Sequence, residues 1–293
     1  MTQPIIVPPS LLAQAIDDVG AFFEPLNGID RETLGRDHLN PEKAVARAAL
    51  LQRYITMADR KGLEIGAGYG TNLAMWIKAY GVDGYGVEPA SQGFEKSFLA
   101  AKTLFVENGL DASRIIDASG ENLPFPDGFF DFVYSANVLE HTADPLQVLR
   151  EAVRVLKPGG ILHFEIPNYL SYFEGHYMLP MPPMWSHRML ALWVRIFGRD
   201  PAFVWTLKLI NPIWCRHAVA GIGRTCPVSL VSLGEDVFLE KLAGTFTFET
   251  QTVSGKLGTA MGLLQKINVN NWVGRLIVAL QGHYPLYLTV KKL

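Results

Sequence analysis

The sequence predicts an α/β fold, a doubly wound and mostly parallel sheet with helices on both faces. Three observations predict it. From residue 61 to residue 166, short apolar runs alternate with helical patterns at the spacing of βα units. One run, Gly62-Leu63-Glu64-Ile65, enters a turn with glycines at 66, 68 and 70 and then a helical stretch toward Lys78. The next run, Gly84-Tyr85-Gly86-Val87-Glu88, ends in a carboxylate one βα unit downstream. Glycine tolerates positive φ and lets backbone approach a ligand without a Cβ in the way. Such a turn at a strand's carboxyl end, feeding a helix N-terminus, is where open α/β sheets hold nucleotides, and the later acid is placed for a ribose diol.

Spacing narrows the choice. A dinucleotide fingerprint needs its third glycine at position 71, which is Thr71, and no Lys-Ser/Thr pair follows the turn as a P-loop requires. The series Leu63-Glu64-Ile65-Gly66-Ala67-Gly68-Tyr69-Gly70 followed by Gly86-Val87-Glu88 instead resembles a class I S-adenosylmethionine-dependent methyltransferase of the type 11-like group. Gly120-Glu121-Asn122-Leu123-Pro124-Phe125-Pro126-Asp127-Gly128-Phe129-Phe130-Asp131-Phe132-Val133, then Val138-Leu139-Glu140-His141, then Arg154-Val155-Leu156-Lys157-Pro158-Gly159-Gly160, resemble the same family in the same order.

The resemblance implies a Rossmann-like sheet of seven strands with a helical insertion, S-adenosyl-L-methionine as cofactor and S-adenosyl-L-homocysteine as its product. Gly66, Gly68 and Gly70 would let backbone approach the methionyl end, Glu64 and Ala67 would also belong to the cofactor site, and Glu88 would accept both ribose hydroxyls. The adenine-binding acid of the family falls at Ser119 here, flanked by Asp117 and Glu121, so Ser119, Gly120 and Glu121 are the residues expected at the base. Residues after the fourth strand, Ser135 and Asn137 among them, would line the methionine.

The elements follow in order. Residues 1–60 form an expected helical cap: Ser10 can start one helix, while Asn40 caps another that has Pro41 at its favoured first position. Residues 61–166 are the core, with Asp131–Tyr134 as fourth strand, Ile161–Ile166 as fifth, and Lys157-Pro158-Gly159-Gly160 as a turn between helix and strand. Residues 167–243 form an insertion. Residues 244–293 complete the sheet, with Thr245–Thr250 and Pro285–Val290 as strands and a further addition at 254–283.

Composition bounds the class. Hydrophobic residues make up 49% and charged residues 18%, which suits a sizeable core. A net charge of -2 argues against a nucleic-acid partner. Cys215 and Cys226 are too few for a disulfide framework and fit a reducing cytosol. Neither a signal peptide nor a spanning helix is expected, since no run of about 18 apolar residues occurs.

Within the insertion, Trp185, Trp193, Trp205 and Trp214 are four of the chain's six tryptophans, and Arg188, Arg195, Arg199, Lys208, Arg216 and Arg224 face one acid, Asp200. Two readings stand side by side. One is a lid packed on the sheet or on a second subunit of a homodimer. The other is a surface for a lipid-linked or phosphate-bearing acceptor, peripheral to a membrane.

The expected reaction moves a methyl group to an oxygen of a small-molecule acceptor, a glycosyl, lipid-linked or secondary-metabolite intermediate. Transfer to nitrogen or carbon, and a non-catalytic scaffold that only binds the cofactor, stay open. His141, just past the fourth strand, and His176, with Glu174 to orient it or act itself, are the candidate bases. His163 lies inside a strand and reads as a core histidine. No cluster shows metal-ligand spacing in the sequence, so no metal is expected.

Overall fold

A computed structural model describes residues 5–91, 93–183, 186–243 and 270–293. Each apolar run of the core becomes a strand: β1 (Lys61–Ile65), β2 (Asp83–Val87), β3 (Ile115–Ile116), β4 (Phe130–Ala136) and β5 (Leu156–Ile166). The loop past β5 carries a two-residue hairpin, β6 (Phe173–Glu174) with β7 (Leu179–Pro180). Two late strands, β8 (Val228–Ser232) and β9 (Leu286–Lys292), complete the sheet.

The seven-stranded order is β3-β2-β1-β4-β5-β9-β8. The first five strands pair in parallel, and β9 runs antiparallel to both of its neighbours. The chain reverses direction across the sheet between β1 and β4, so the carboxyl ends of β1, β2 and β4 open onto one crevice.

Eleven α-helices surround the sheet among the described residues. Before it come α1 (Pro9–Ala15), α2 (Ala21–Asn27), α3 (Arg31–His38) and α4 (Pro41–Leu51), with a π-helical turn at Ile16–Gly20 joining the first two. Between strands lie α5 (Thr71–Tyr80), α6 (Glu95–Glu107) and α7 (Pro145–Val155). After them come α8 (His187–Ile196), α9 (Pro212–Ile222), α10 (Glu235–Ala243) and α11 (Asn270–Ala279).

One sheet face buries Leu63, Val133, Leu162 and Phe164 against α7 and α9. The other buries Phe132, Tyr134 and Ile161 against α4, α5 and α6. Trp76 is fully buried on that side, and its indole N–H donates to the Ala44 carbonyl at 2.7 Å. That bond ties the N-terminal helices to the helix that follows the glycine turn. A third cluster, with Tyr169, Tyr177, Leu190, Val194, Val204 and Leu207, gives the insertion a core of its own.

Several expectations are corrected. Ser10 is inside α1, whose N-cap is Pro8, because Pro9 has the preset φ that suits the first helical position. Asn40 does cap α4, accepting from the Glu42 N–H at 2.9 Å. Residues 157–160 continue β5 rather than turning before it, with a register irregularity opposite Phe130–Phe132 and Gly159 at φ +80°. The edge strand β8 comes from within the stretch read as helical insertion. Its Val228-Ser229-Leu230-Val231-Ser232 run leaves Val231 exposed, so an edge strand with mixed faces gave no clean alternation. The strand expected at 245–250 lies outside the described residues, as does the Trp185 side chain. His163 is a core residue, paired through Nδ1 with Thr289 Oγ1 at 2.8 Å.

Candidate active site

Each residue of the glycine turn has a distinct task. Gly66, Gly68 and Gly70 all have positive φ, at +71°, +53° and +77°. A Cβ on Gly66 would come within 2.3 Å of Val138, so this glycine lets the turn pack under the loop that leaves β4. Gly68 differs: a Cβ there would meet nothing nearer than His38 Nε2 at 3.9 Å. It faces open space, where a ligand can reach backbone. Gly70 is the N-cap of α5 and packs close to Ala101 and Phe105 of α6.

Glu88, at the end of β2, is buried, and its Oε2 accepts the Gly68 N–H at 3.0 Å. Desolvation pushes its pKa up to about 7 against the opposing backbone hydrogen bond. The second oxygen of this carboxylate is available for a polar ligand. Glu64 is likewise buried: Oε1 accepts from Asn72 at 2.7 Å, and Oε2 has no hydrogen-bond partner among the described residues. Its pKa is also raised to about 7, mainly by burial, with Asn72 and Arg47 opposing. Thr71 Oγ1, at the first turn of α5, is a further buried atom without a partner there. Unpaired buried polar atoms are costly, and their grouping around one turn fits a polar ligand. The residues present therefore suit S-adenosylmethionine, with Glu88 for the ribose and the Gly68 backbone for the approach.

Beyond β3 the fit is partial. Ser119 is exposed and Gly120 buried, in the loop that leaves this strand. A Cβ on Gly120 would come within 2.9 Å of Ile65. Glu121 Oε1 accepts from the Ala143 N–H at 3.0 Å, so this carboxylate holds the entry to α7. Ser135 Oγ donates to the Ile65 carbonyl at 2.8 Å and so latches β4 to β1 rather than presenting its hydroxyl to a ligand. Asn137 is exposed at φ +54°, on the turn that leaves β4, with its N–H donating to Glu165 O at 2.9 Å.

That turn becomes a 3₁₀ turn, Leu139–His141, which brings in the second half of the site. His141, His176 and Glu174 are drawn together there, along with Glu140. His176, from the β6–β7 hairpin loop, donates through Nδ1 to Glu174 Oε1 at 2.8 Å. Glu174 Oε2 accepts the Tyr177 N–H at 2.6 Å. Glu140 is fully buried, and neither of its oxygens has a hydrogen-bond partner among the described residues. Its Oε1 lies 3.7 Å from His141 Nε2 and 3.9 Å from His176 Nε2. Burial lifts Glu140 to about 7. Burial and the neighbouring His176 hold His141 below the ordinary histidine range. For His176, desolvation is outweighed by Glu174 and Glu140, which raise it.

Aromatic rings cover this cluster. Phe203, in the 3₁₀ turn Ala202–Thr206, lies 5.3 Å from His176 and 5.7 Å from His141, ring centre to ring centre. Phe23 of α2 stacks on His176 at 6.4 Å. The N-terminal helices and the insertion thus meet over one point. Sequence reasoning missed Glu140, Thr71 and Phe203. Only Glu140 left a signal, as the acid next to His141 in a turn that follows a strand.

Comparison with known proteins agrees with this geometry. Residues 63–164 match the family model of a methyltransferase domain. An uncharacterized methyltransferase of Mycolicibacterium vanbaalenii is 34% identical over 139 residues, 47% of this chain and 51% of that protein. One from Mycobacterium leprae is 37% identical over 116 residues, 40% of each chain. The chain thus spans about half or less of the length of the relatives it matches. Among solved structures, the [4+2]-cyclase SpnF superposes with TM-score 0.51 and 17% identity over 99% of both chains. Phosphoethanolamine N-methyltransferase 2 of Haemonchus contortus, solved with phosphomonomethylethanolamine and S-adenosylhomocysteine, gives TM-score 0.50 and 17% identity over 86% of this chain and 52% of that one. At these identities the likeness is one of fold. Residues 63–164 thus form a methyltransferase domain, and its strand order and Gly68–Glu88 pair are those expected of a class I S-adenosylmethionine-dependent methyltransferase, for which S-adenosyl-L-methionine is the cofactor.

Proposed function

We propose that the chain transfers a methyl group from S-adenosylmethionine to an oxygen of a small-molecule acceptor. The donor supplies an activated methyl on a sulfonium. The chain's own residues must hold it, align the acceptor and take up the hydroxyl proton. One observation carries the reading: Glu174 engages Nδ1 of His176 and leaves the lone pair of Nε2 toward Glu140 and His141. A histidine oriented by a carboxylate in this way can accept a proton. A neutral amine nitrogen is nucleophilic enough to need no such device, since its proton can leave after the transfer. A scaffold that only binds cofactor would need neither this histidine nor the aromatic cover over it. The test is methyl transfer with hydroxyl acceptors. His176→Ala lowers turnover about 10²–10⁴-fold while donor binding stays normal. Full activity in that variant contradicts the reading.

The exposed side of α8 favours an amphipathic acceptor. Met189, Leu192 and Ile196 are 46%, 60% and 65% exposed, at the i, i+3, i+7 spacing of one helix face. Arg188 and Arg195 flank them and form no ion pair among the described residues. An apolar stripe edged by arginine suits a lipid-linked substrate at an anionic surface. Arg199 belongs to the fold instead, donating to the Asn27 carbonyl at 3.2 Å, and Arg216 pairs with Glu235. No helix among the described residues is long and apolar enough to cross a membrane.

A further inference from the structure

The geometry points to a divalent transition-metal site formed by Glu140, His141 and His176. Their ligand atoms all lie within 4.8 Å of one another. Two of the separations are 3.7 and 3.9 Å, from Glu140 Oε1 to each Nε2. An ion bound at about 2.0–2.2 Å to each of two atoms spans a pair up to about 4.4 Å apart, so both Glu140 pairs admit it, and the two imidazoles, no more than 4.8 Å apart, close on it by small side-chain rotations.

Three further features point to a cation. First, both oxygens of the fully buried Glu140 have no hydrogen-bond partner among the described residues. A buried carboxylate without partners is strongly disfavoured, and a cation between it and the two imidazoles removes that cost. Second, Glu174 occupies Nδ1 of His176. Metal-ligating histidines ordinarily donate their other ring N–H to such an outer carboxylate, which fixes the tautomer and raises ligand basicity. Third, His141 keeps 28% of its side chain exposed, so an ion here retains open positions on its outer side.

Two nitrogens and one carboxylate oxygen suit zinc, iron(II), manganese or cobalt rather than calcium, which takes six to eight oxygens. The sequence expectation of no metal did not weigh this grouping, because His176 reaches the other two residues only through the hairpin of the insertion, which sequence spacing does not show. The inference rests on the acceptor reading above and refines it: an ion on Nε2 of His176 takes up that lone pair. With metal bound, the ion would act as Lewis acid on the acceptor hydroxyl, whose proton is released to solvent, and His176 serves as ligand in place of base. Binding of the ion itself is measurable without any acceptor.

The test titrates zinc and cobalt(II) into the full chain, by calorimetry and by the visible absorption of cobalt, with S-adenosylmethionine titrated in parallel. The expected result is about one ion per chain, with affinity at least about 10-fold weaker in His141→Ala and about 10- to 100-fold weaker in Glu174→Gln. Donor affinity stays the same in all three proteins. Wild type that binds donor but no metal, or metal affinity unchanged in both variants, overturns the site. Metal bound without donor would instead overturn the methyltransferase reading and leave the site standing. Melting curves confirm that each variant is folded; His141 is partly exposed, so its truncation leaves the core intact.

Discussion

Gly68 and Glu88 are joined by one hydrogen bond: the glycine N–H donates to Oε2 of the carboxylate at 3.0 Å. Through it the turn after β1 and the end of β2 are held together at one wall of the candidate donor site. Glu88→Ala removes the charge-assisted acceptor and weakens S-adenosylmethionine binding by about 1.5–3 kcal/mol, as calorimetry will read. Tight binding of a nicotinamide dinucleotide with no binding of this donor would contradict the assignment.

The three glycines separate experimentally. Gly68→Ala puts its Cβ into open space and costs about 1–2 kcal/mol for the left-handed backbone, so the protein stays folded but loses donor affinity. Gly66→Ala drives a methyl into Val138 at 2.3 Å and lowers thermal stability before any ligand is added. Equal melting temperatures for the two variants would count against this division of labour.

The geometry of the glycine turn was largely legible in the sequence. Glycine spacing and the strand-ending Glu88 are local signals, set within one βα unit each, and so is the turn that carries His141. What was not legible is long-range. Glu140 was visible beside His141, but its lack of partners follows from burial under residues of the insertion. Lys208 N–H, for instance, donates to the Glu140 carbonyl at 2.7 Å. Ser135 was expected at the ligand because of its place after β4, yet in the fold its hydroxyl meets the Ile65 carbonyl. Edge strand β8 escaped notice because apolar Val231 lies on its exposed face and polar Ser232 on the other, so the residue types do not follow the period of two.

The carboxylates of the pocket set a pH dependence. Glu88 has a folded pKa raised to about 7, so its contribution to apo-protein stability is present at low pH and is lost as pH rises from about 4.5 through 7. Glu88→Gln mimics the protonated form. Its melting temperature relative to wild type therefore rises across that window, while wild-type donor affinity tightens as Glu88 ionises and can accept both ribose hydroxyls. A melting difference that is flat between pH 4.5 and 8 would contradict the burial argument.

For the insertion, a charge-reversing pair, Arg188→Glu with Arg195→Glu, abolishes co-sedimentation with anionic vesicles at low salt. Added salt does the same to wild type, because the attraction is screened. Leu192→Glu weakens binding at every salt concentration by breaking the apolar stripe. Wild type that ignores vesicles at low ionic strength leaves α8 as a lid or a subunit contact.

The most direct measurement supplies S-adenosylmethionine labelled in its methyl group with a panel of hydroxyl-bearing glycosyl and lipid-linked acceptors, and follows acceptor mass and S-adenosylhomocysteine together. The account predicts one labelled methyl on acceptor oxygen for each S-adenosylhomocysteine formed. It also predicts turnover reduced about 10²–10⁴-fold in His176→Ala with donor affinity unchanged. Label found on nitrogen or carbon, or equal turnover in wild type and His176→Ala, would contradict it.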